Sequence, residues 1–158
     1  WGSVSRPPGQ KLPKLTNKQE REAYAVATVR DNGNESGLGI CQRCGRYGPC
    51  DRDHRQNRTA WNTTPANLQL LGGAFGCGCH IWKTENPAKA IQAGFSVPRW
   101  ADPLEWPAWR NGVGWVLYYD APVEGPWWRP ISEQEARALM EGKEEHRGEE
   151  GRRVVADS

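Results

Sequence analysis

The chain has 158 residues, enough for one ordinary domain and too few for two large ones. Val, Leu, Ile and Phe together number only 24 of them, which excludes a large aliphatic core, a coiled coil and a collagen. The formal net charge is just +2, and nine Trp and four Tyr partly replace the missing aliphatics. The composition therefore points away from disorder and toward a fold held together in part by something besides apolar burial.

No apolar run is long enough to span a bilayer and no signal pattern follows Trp1, so a soluble protein is expected. All five cysteines (41, 44, 50, 77 and 79) fall within 39 positions. A disulfide framework is usually spread along a chain, whereas a metal site is local, so a reducing, cytoplasmic setting and a bound metal are expected. Residues 131–158 carry 5 basic and 8 acidic side chains, and residues 1–130 carry 16 and 11. A body of net +5 with a tail of net −3 is compatible with nucleic acid without demanding it.

In chain order, residues 1–14 read as a flexible basic arm. Thr16 or Asn17 caps a helix running to about Arg30, with Glu20 three residues after Asn17 in capping-box spacing. Tyr24, Ala27 and Val26 are its expected buried stripe. Residues 31–39 are a loop, so residues 15–36 form an N-terminal helix and loop and residues 37–95 hold the chemistry. Asn86-Pro87 opens a short helix that Gly94 closes. Residues 96–130 are a Trp/Pro-rich extension whose one good strand is "VGWVLYYD" at 113–120. Residues 131–158 read as an exposed helix, with Ser132 and Glu135 in capping-box spacing, and a disordered tail from Gly148.

Cys41-Gln-Arg-Cys44-Gly45 has the spacing at which two thiolates reach one tetrahedral Zn²⁺. Cys77-Gly78-Cys79 is the downstream element that would complete it, and Cys50 is a rival fourth ligand. Buried free cysteines or a thiol redox pair are the competing readings. Asp53 and His54 follow as neighbours, and on a strand their side chains point to opposite faces. One can then hold a metal while the other addresses a water. Asn67 precedes the apolar "LQLL", where an Asn can also simply end a turn. His80 opens a helical "HIWKTE" with Lys83 one turn on, on the same face. Arg43, Arg46, Arg52, Arg55 and Arg58 are five arginines within 16 positions that would draw substrate through phosphate contacts, with a solvated loop as the competing reading.

The order C-x-x-C, Asp-His, Asn-Leu, Cys-His-x-x-Lys resembles the HNH endonuclease family, and most nearly the HNH proteins of tailed bacteriophages. The shared "GCH…NPAKAIQAGF" stretch and "SVPRWADPLEWP" extend the likeness over about residues 38–110. The resemblance implies an α+β fold with a small ββα-metal, zinc-finger-like core. Flanking helices and a Trp/Pro-rich extension with a short strand or hairpin would surround it.

The resemblance also implies roles. Asp53 and His80 would ligate a catalytic Mg²⁺ or Mn²⁺, and His54 would be the general base for phosphodiester hydrolysis. Asn67 would pin the loop and orient His54. Cys41, Cys44, Cys77 and Cys79 would bind structural Zn. Arg55 and Lys83 are further candidates for contact with DNA phosphate. Gly72 stands where the family commonly has a Cys, and Cys77 is its candidate stand-in. DNA is the expected partner, with phage terminase a further one in genome packaging or homing; no membrane and no organic cofactor are expected. A zinc-stabilised DNA- or terminase-binding module without catalysis is the alternative.

Overall fold

The structure is a computed structural model that describes residues 13–122 and 124–148, with side chains up to residue 142. Most of the expected basic arm and the tail beyond residue 148 lie outside the described residues. Among the described residues the fold is mixed α+β, as expected, with four helices and two small antiparallel sheets of three strands each.

The first helix, α1 (Asn17–Arg30), begins where the sequence places it, but Thr16 is the cap. Its hydroxyl accepts from Gln19 N–H while the Gln19 side chain accepts from Thr16 N–H. The reciprocal pair is thus Thr16–Gln19, not Asn17–Glu20. The helix buries Ala23, Ala27 and Arg30, and Tyr24 packs beside them. Val29 is left exposed.

Strand β1 (Leu38–Ile40) pairs with β2 (Tyr47–His54), which pairs in turn with β3 (Leu68–Gly72). A 3-10 turn at Pro65–Asn67 leads into β3. Helix α2 (Cys79–Glu85) follows, then α3 (Pro87–Ala93), which ends at Gly94 in the left-handed region as expected. Asn86 does not cap α3 with its side chain; its amide donates to Trp82 O and closes α2 instead.

The Trp/Pro-rich extension is more ordered than a single strand. Strands β4 (Ala108–Arg110), β5 (Gly114–Tyr118) and β6 (Trp128–Pro130) make an antiparallel meander. Asn111-Gly112, with Gly112 at φ +81°, supplies the first hairpin turn, a signal plain in the sequence but masked by the surrounding Trp and Pro. Helix α4 (Glu133–Gly148) starts at Ser132, whose hydroxyl accepts from Glu135 N–H. The expectation of a wholly exposed helix is corrected. Ala136 and Met140 are buried against Trp106 and Trp115, which gives the helix a reason to dock.

The lean aliphatic content is offset by buried arginines at the junction of the two sheets. Arg30 and Arg110 both pair with Asp31, which is fully buried. Arg30 donates to Pro65 O and Leu68 O, and Arg110 donates to Arg30 O. The Arg30 guanidinium lies 4.0 Å from the Tyr118 ring centre, and that of Arg110 lies 4.0 Å from Trp128. These contacts tie α1 to β3 and to the second sheet where a larger protein would use Leu and Ile.

Candidate active site and metal centre

Strand β2 positions the chemistry. Its pairing sets Asp53 opposite Gln69 and His54 opposite Leu68 on β3. Asp53 points to the side covered by α2, and His54 to the side covered by α1. Alternation along a strand requires that split.

On the α2 side the Asp53 carboxylate is 5 % exposed. Gln69 Nε2 donates to it at 2.9 Å, Lys83 Nζ lies 3.1–3.2 Å from its oxygens, and His80 Nε2 lies 3.2 Å from Oδ1. Burial alone would raise the Asp53 pKa, but His80, Lys83 and Gln69 together hold it below the usual carboxylate value. His80 is gripped at both ring nitrogens, because Nδ1 lies 2.7 Å from Asp51 Oδ2. The bond to Asp53, working against burial and joined by that to Asp51, holds the imidazole up at about 9.

Asp53 and His80 are therefore brought together, as expected. Neighbouring ligands on an octahedral ion with bonds of about 2.1 Å lie roughly 3.0 Å apart. The 3.2 Å between Asp53 Oδ1 and His80 Nε2 matches that spacing, but it is here a hydrogen-bonded ion pair, and an ion taking both as ligands would replace the Nε2 proton. The carboxylate is the donor that suits Mg²⁺ or Mn²⁺, with waters completing the shell.

On the α1 side His54 Nε2 lies 2.9 Å from Thr63 Oγ1, and the ring stands edge-on to Tyr24 at 6.0 Å. Burial, chiefly, lowers the His54 pKa below its ordinary value, so the ring is neutral at pH 7. Asn67 is fully buried. Its Oδ1 accepts from Gln56 N–H, and its amide donates to Gln56 O and Asn62 O. It thus pins the two ends of the loop that carries Thr63 and acts on His54 only through that loop.

The two expected phosphate contacts are corrected. Arg55 is 1 % exposed and donates to the carbonyls of Ala66, Pro103, Trp106 and Pro107, so it staples the Trp/Pro-rich extension to the core. Lys83 does share the face of His80, but its ammonium turns inward to Asp53 and to His54 O, with 12 % of the side chain exposed. A buried carboxylate needs a counter-charge, and Lys83 supplies it. Nor do the five arginines form one patch. Arg43 stacks on Trp82, Arg52 lies over Tyr24 and Arg58 pairs with Glu20.

The sulfurs of Cys41, Cys44, Cys77 and Cys79 all lie within 4.8 Å of one another, a group that could hold a metal such as zinc. Sulfurs at the corners of a tetrahedron around zinc, with bonds of about 2.3 Å, are roughly 3.8 Å apart. Cys50 is outside the group and its thiol donates to Gly39 O. Gly72 has no room for a side chain, because a Cβ there would run into Cys77 Sγ. The sulfur of Cys77 thus fills the space that a side chain at position 72 would take. Burial pushes the Cys79 thiol up to about 12, while the N–H of Cys79 and neighbouring thiols, outweighing burial, bring Cys77 down to about 7.

Sequence reasoning missed Asp51, Gln69 and Thr63. The first two were readable in principle: Asp51 is two residues before Asp53 on one strand, hence on its face, and Gln69 is the one polar residue in an apolar strand. Thr63 is brought to His54 by the loop alone and leaves no periodic signal. No family model, curated protein or solved structure matches the chain.

Proposed function

We propose that this chain is a metal-dependent HNH DNA endonuclease that hydrolyses phosphodiester bonds with one divalent ion and His54 as general base. One arrangement carries the reading. Asp53 and His80 face each other at ligand spacing on one side of β2, and a neutral His54 is held by Thr63 at the strand's end on the other.

A Mg²⁺ or Mn²⁺ ion held by Asp53 and His80 would supply Lewis-acid stabilisation of the charge that develops on the phosphorus oxygens and the leaving 3′ oxygen. In the tautomer in which Thr63 accepts from His54 Nε2–H, the Nδ1 lone pair is left to take a proton from the attacking water. Asn67 keeps the loop behind His54 closed, and Asp51 fixes the ring of His80 so that Nε2 faces Asp53. Structural Zn at Cys41, Cys44, Cys77 and Cys79 would hold the start of α2, and therefore His80, against β2.

The likeness to phage proteins supports a role in genome packaging beside the terminase, or in homing, in the host cytoplasm. The test is supercoiled plasmid with Mg²⁺ or Mn²⁺. Nicking that EDTA abolishes is expected. Zinc retention and DNA binding without cutting under any divalent ion would favour the alternative, a zinc-stabilised DNA- or terminase-binding module.

A further inference from the structure

The chain has two phenylalanines, and they are used in opposite ways. Phe95 is 4 % exposed in the core, whereas Phe75 is 93 % exposed. Phe75 stands on the turn between β3 and α2, and three backbone hydrogen bonds hold that turn. Gly73 N–H donates to Pro49 O, and Gly76 and Gly78 N–H both return to Gly73 O. Cys77 and Cys79 anchor its end in the sulfur group. At Gly76 the turn passes so close to β2 that a Cβ would lie 2.5 Å from Pro49 O. The ring is therefore presented on a backbone fixed at both ends.

Across from it β2 begins with Tyr47, itself 59 % exposed, just after Arg46. Phe75, Tyr47, Arg46 and Pro49 line one open cleft of about 140 Å³, with no carboxylate in its lining. That is well under the ~300 Å³ at which small-molecule pockets begin, and suits a single planar group. Aromatic faces beside a guanidinium are the means by which proteins stack a base and hold its phosphate. The cleft shares β2 with the proposed ion site, Pro49 and Asp53 being four residues or about 13 Å apart along it. Gly73, at the foot of the same turn, is so close to Asp51 that a Cβ would be 2.9 Å from its carboxylate, and Asp51 holds His80.

We infer that this cleft receives one unpaired nucleobase of the DNA a few nucleotides from the scissile phosphate, stacked on Phe75 and Tyr47 with Arg46 toward its phosphate. The inference rests on the endonuclease reading and names its substrate class: DNA with a displaced base, such as a bulge or a mismatch. A base inside an intact duplex would first have to leave its stack, a cost that a displaced base does not carry.

The test compares a short duplex with the same duplex carrying a single-nucleotide bulge, using the full zinc-loaded chain. Binding is read by fluorescence anisotropy in EDTA-free buffer with Ca²⁺, and cutting with Mn²⁺. The parent is expected to favour the bulged DNA by about tenfold or more. Phe75→Ala and Tyr47→Ala should erase that preference, with duplex affinity, zinc content and melting temperature unchanged, and Phe75→Trp should keep it. A preference that survives Phe75→Ala overturns the inference. So does one kept by Phe75→Leu, which would mean that apolar contact and not ring stacking holds the base. A parent that cuts plasmid without favouring the bulge sinks the cleft alone. A parent that favours the bulge but cuts nothing sinks the endonuclease reading and leaves the cleft standing.

Discussion

Asp51 and Asp53 show how two carboxylates on one strand face divide the work around one imidazole. Asp53 is buried and meets His80 Nε2, whereas Asp51 is half-exposed and meets Nδ1. If Asp51 acts by orienting the ring, an uncharged acceptor should serve nearly as well. Asp51→Asn is expected to bind Mn²⁺ within a few-fold of the parent, and Asp51→Ala to bind it roughly 10–100-fold more weakly. Electron paramagnetic resonance of free Mn²⁺ reads both; equal weakening would mean that Asp51 contributes only its charge. Arg55 is the other residue whose role the structure changes. Its removal leaves three buried carbonyls and one part-buried carbonyl without their donor, so Arg55→Met should cost more than about 3 kcal/mol in a denaturant titration. A phosphate-binding Arg on the surface would cost almost nothing.

At the scale of elements, the helices were legible in the sequence because capping and breaking residues are local. Thr16, Pro87, Gly94 and Ser132 each act within a turn of where they stand. The placement of Asp53 and His54 on β2 was legible for a similar reason, since alternation alone sends them to opposite faces. The second sheet was largely hidden. Strands β4 and β6 have three residues each, too short for any period to register. The arginines were misread because burial of a cation depends on carbonyls 11 to 52 positions away, which no local pattern encodes. The turn between β3 and α2 makes a sharp prediction. Gly72→Ala would push a methyl onto Cys77 Sγ, so it should lower zinc occupancy measured by elemental analysis, whereas Gly48→Ala, with open space around it, should not.

For the whole molecule, the scarcity of Val, Leu, Ile and Phe is met by two devices: the four-cysteine group and the buried Arg30–Asp31–Arg110 cluster. Each gives stability its own chemical dependence. Burial would raise the Asp31 pKa, but Arg30 and Arg110 outweigh it and hold the carboxyl below its ordinary value. Its stabilising contribution is therefore complete above about pH 4 and is lost as pH falls through the lower, folded value. Unfolding followed by circular dichroism should show a steep acid loss in the parent that is flattened in Asp31→Asn. Zinc removal should unfold residues 38–85, seen as lost amide protection, whereas removing only Mg²⁺ should leave them folded. Among the described residues no helix is long and apolar enough to cross a membrane.

The most direct measurement is plasmid cleavage in Mn²⁺ by the zinc-loaded parent beside His54→Ala of equal zinc content and melting temperature. His54 as general base predicts that the parent nicks and the variant is slower by about 10²–10⁴-fold. A variant that cuts as fast as the parent would contradict that mechanism.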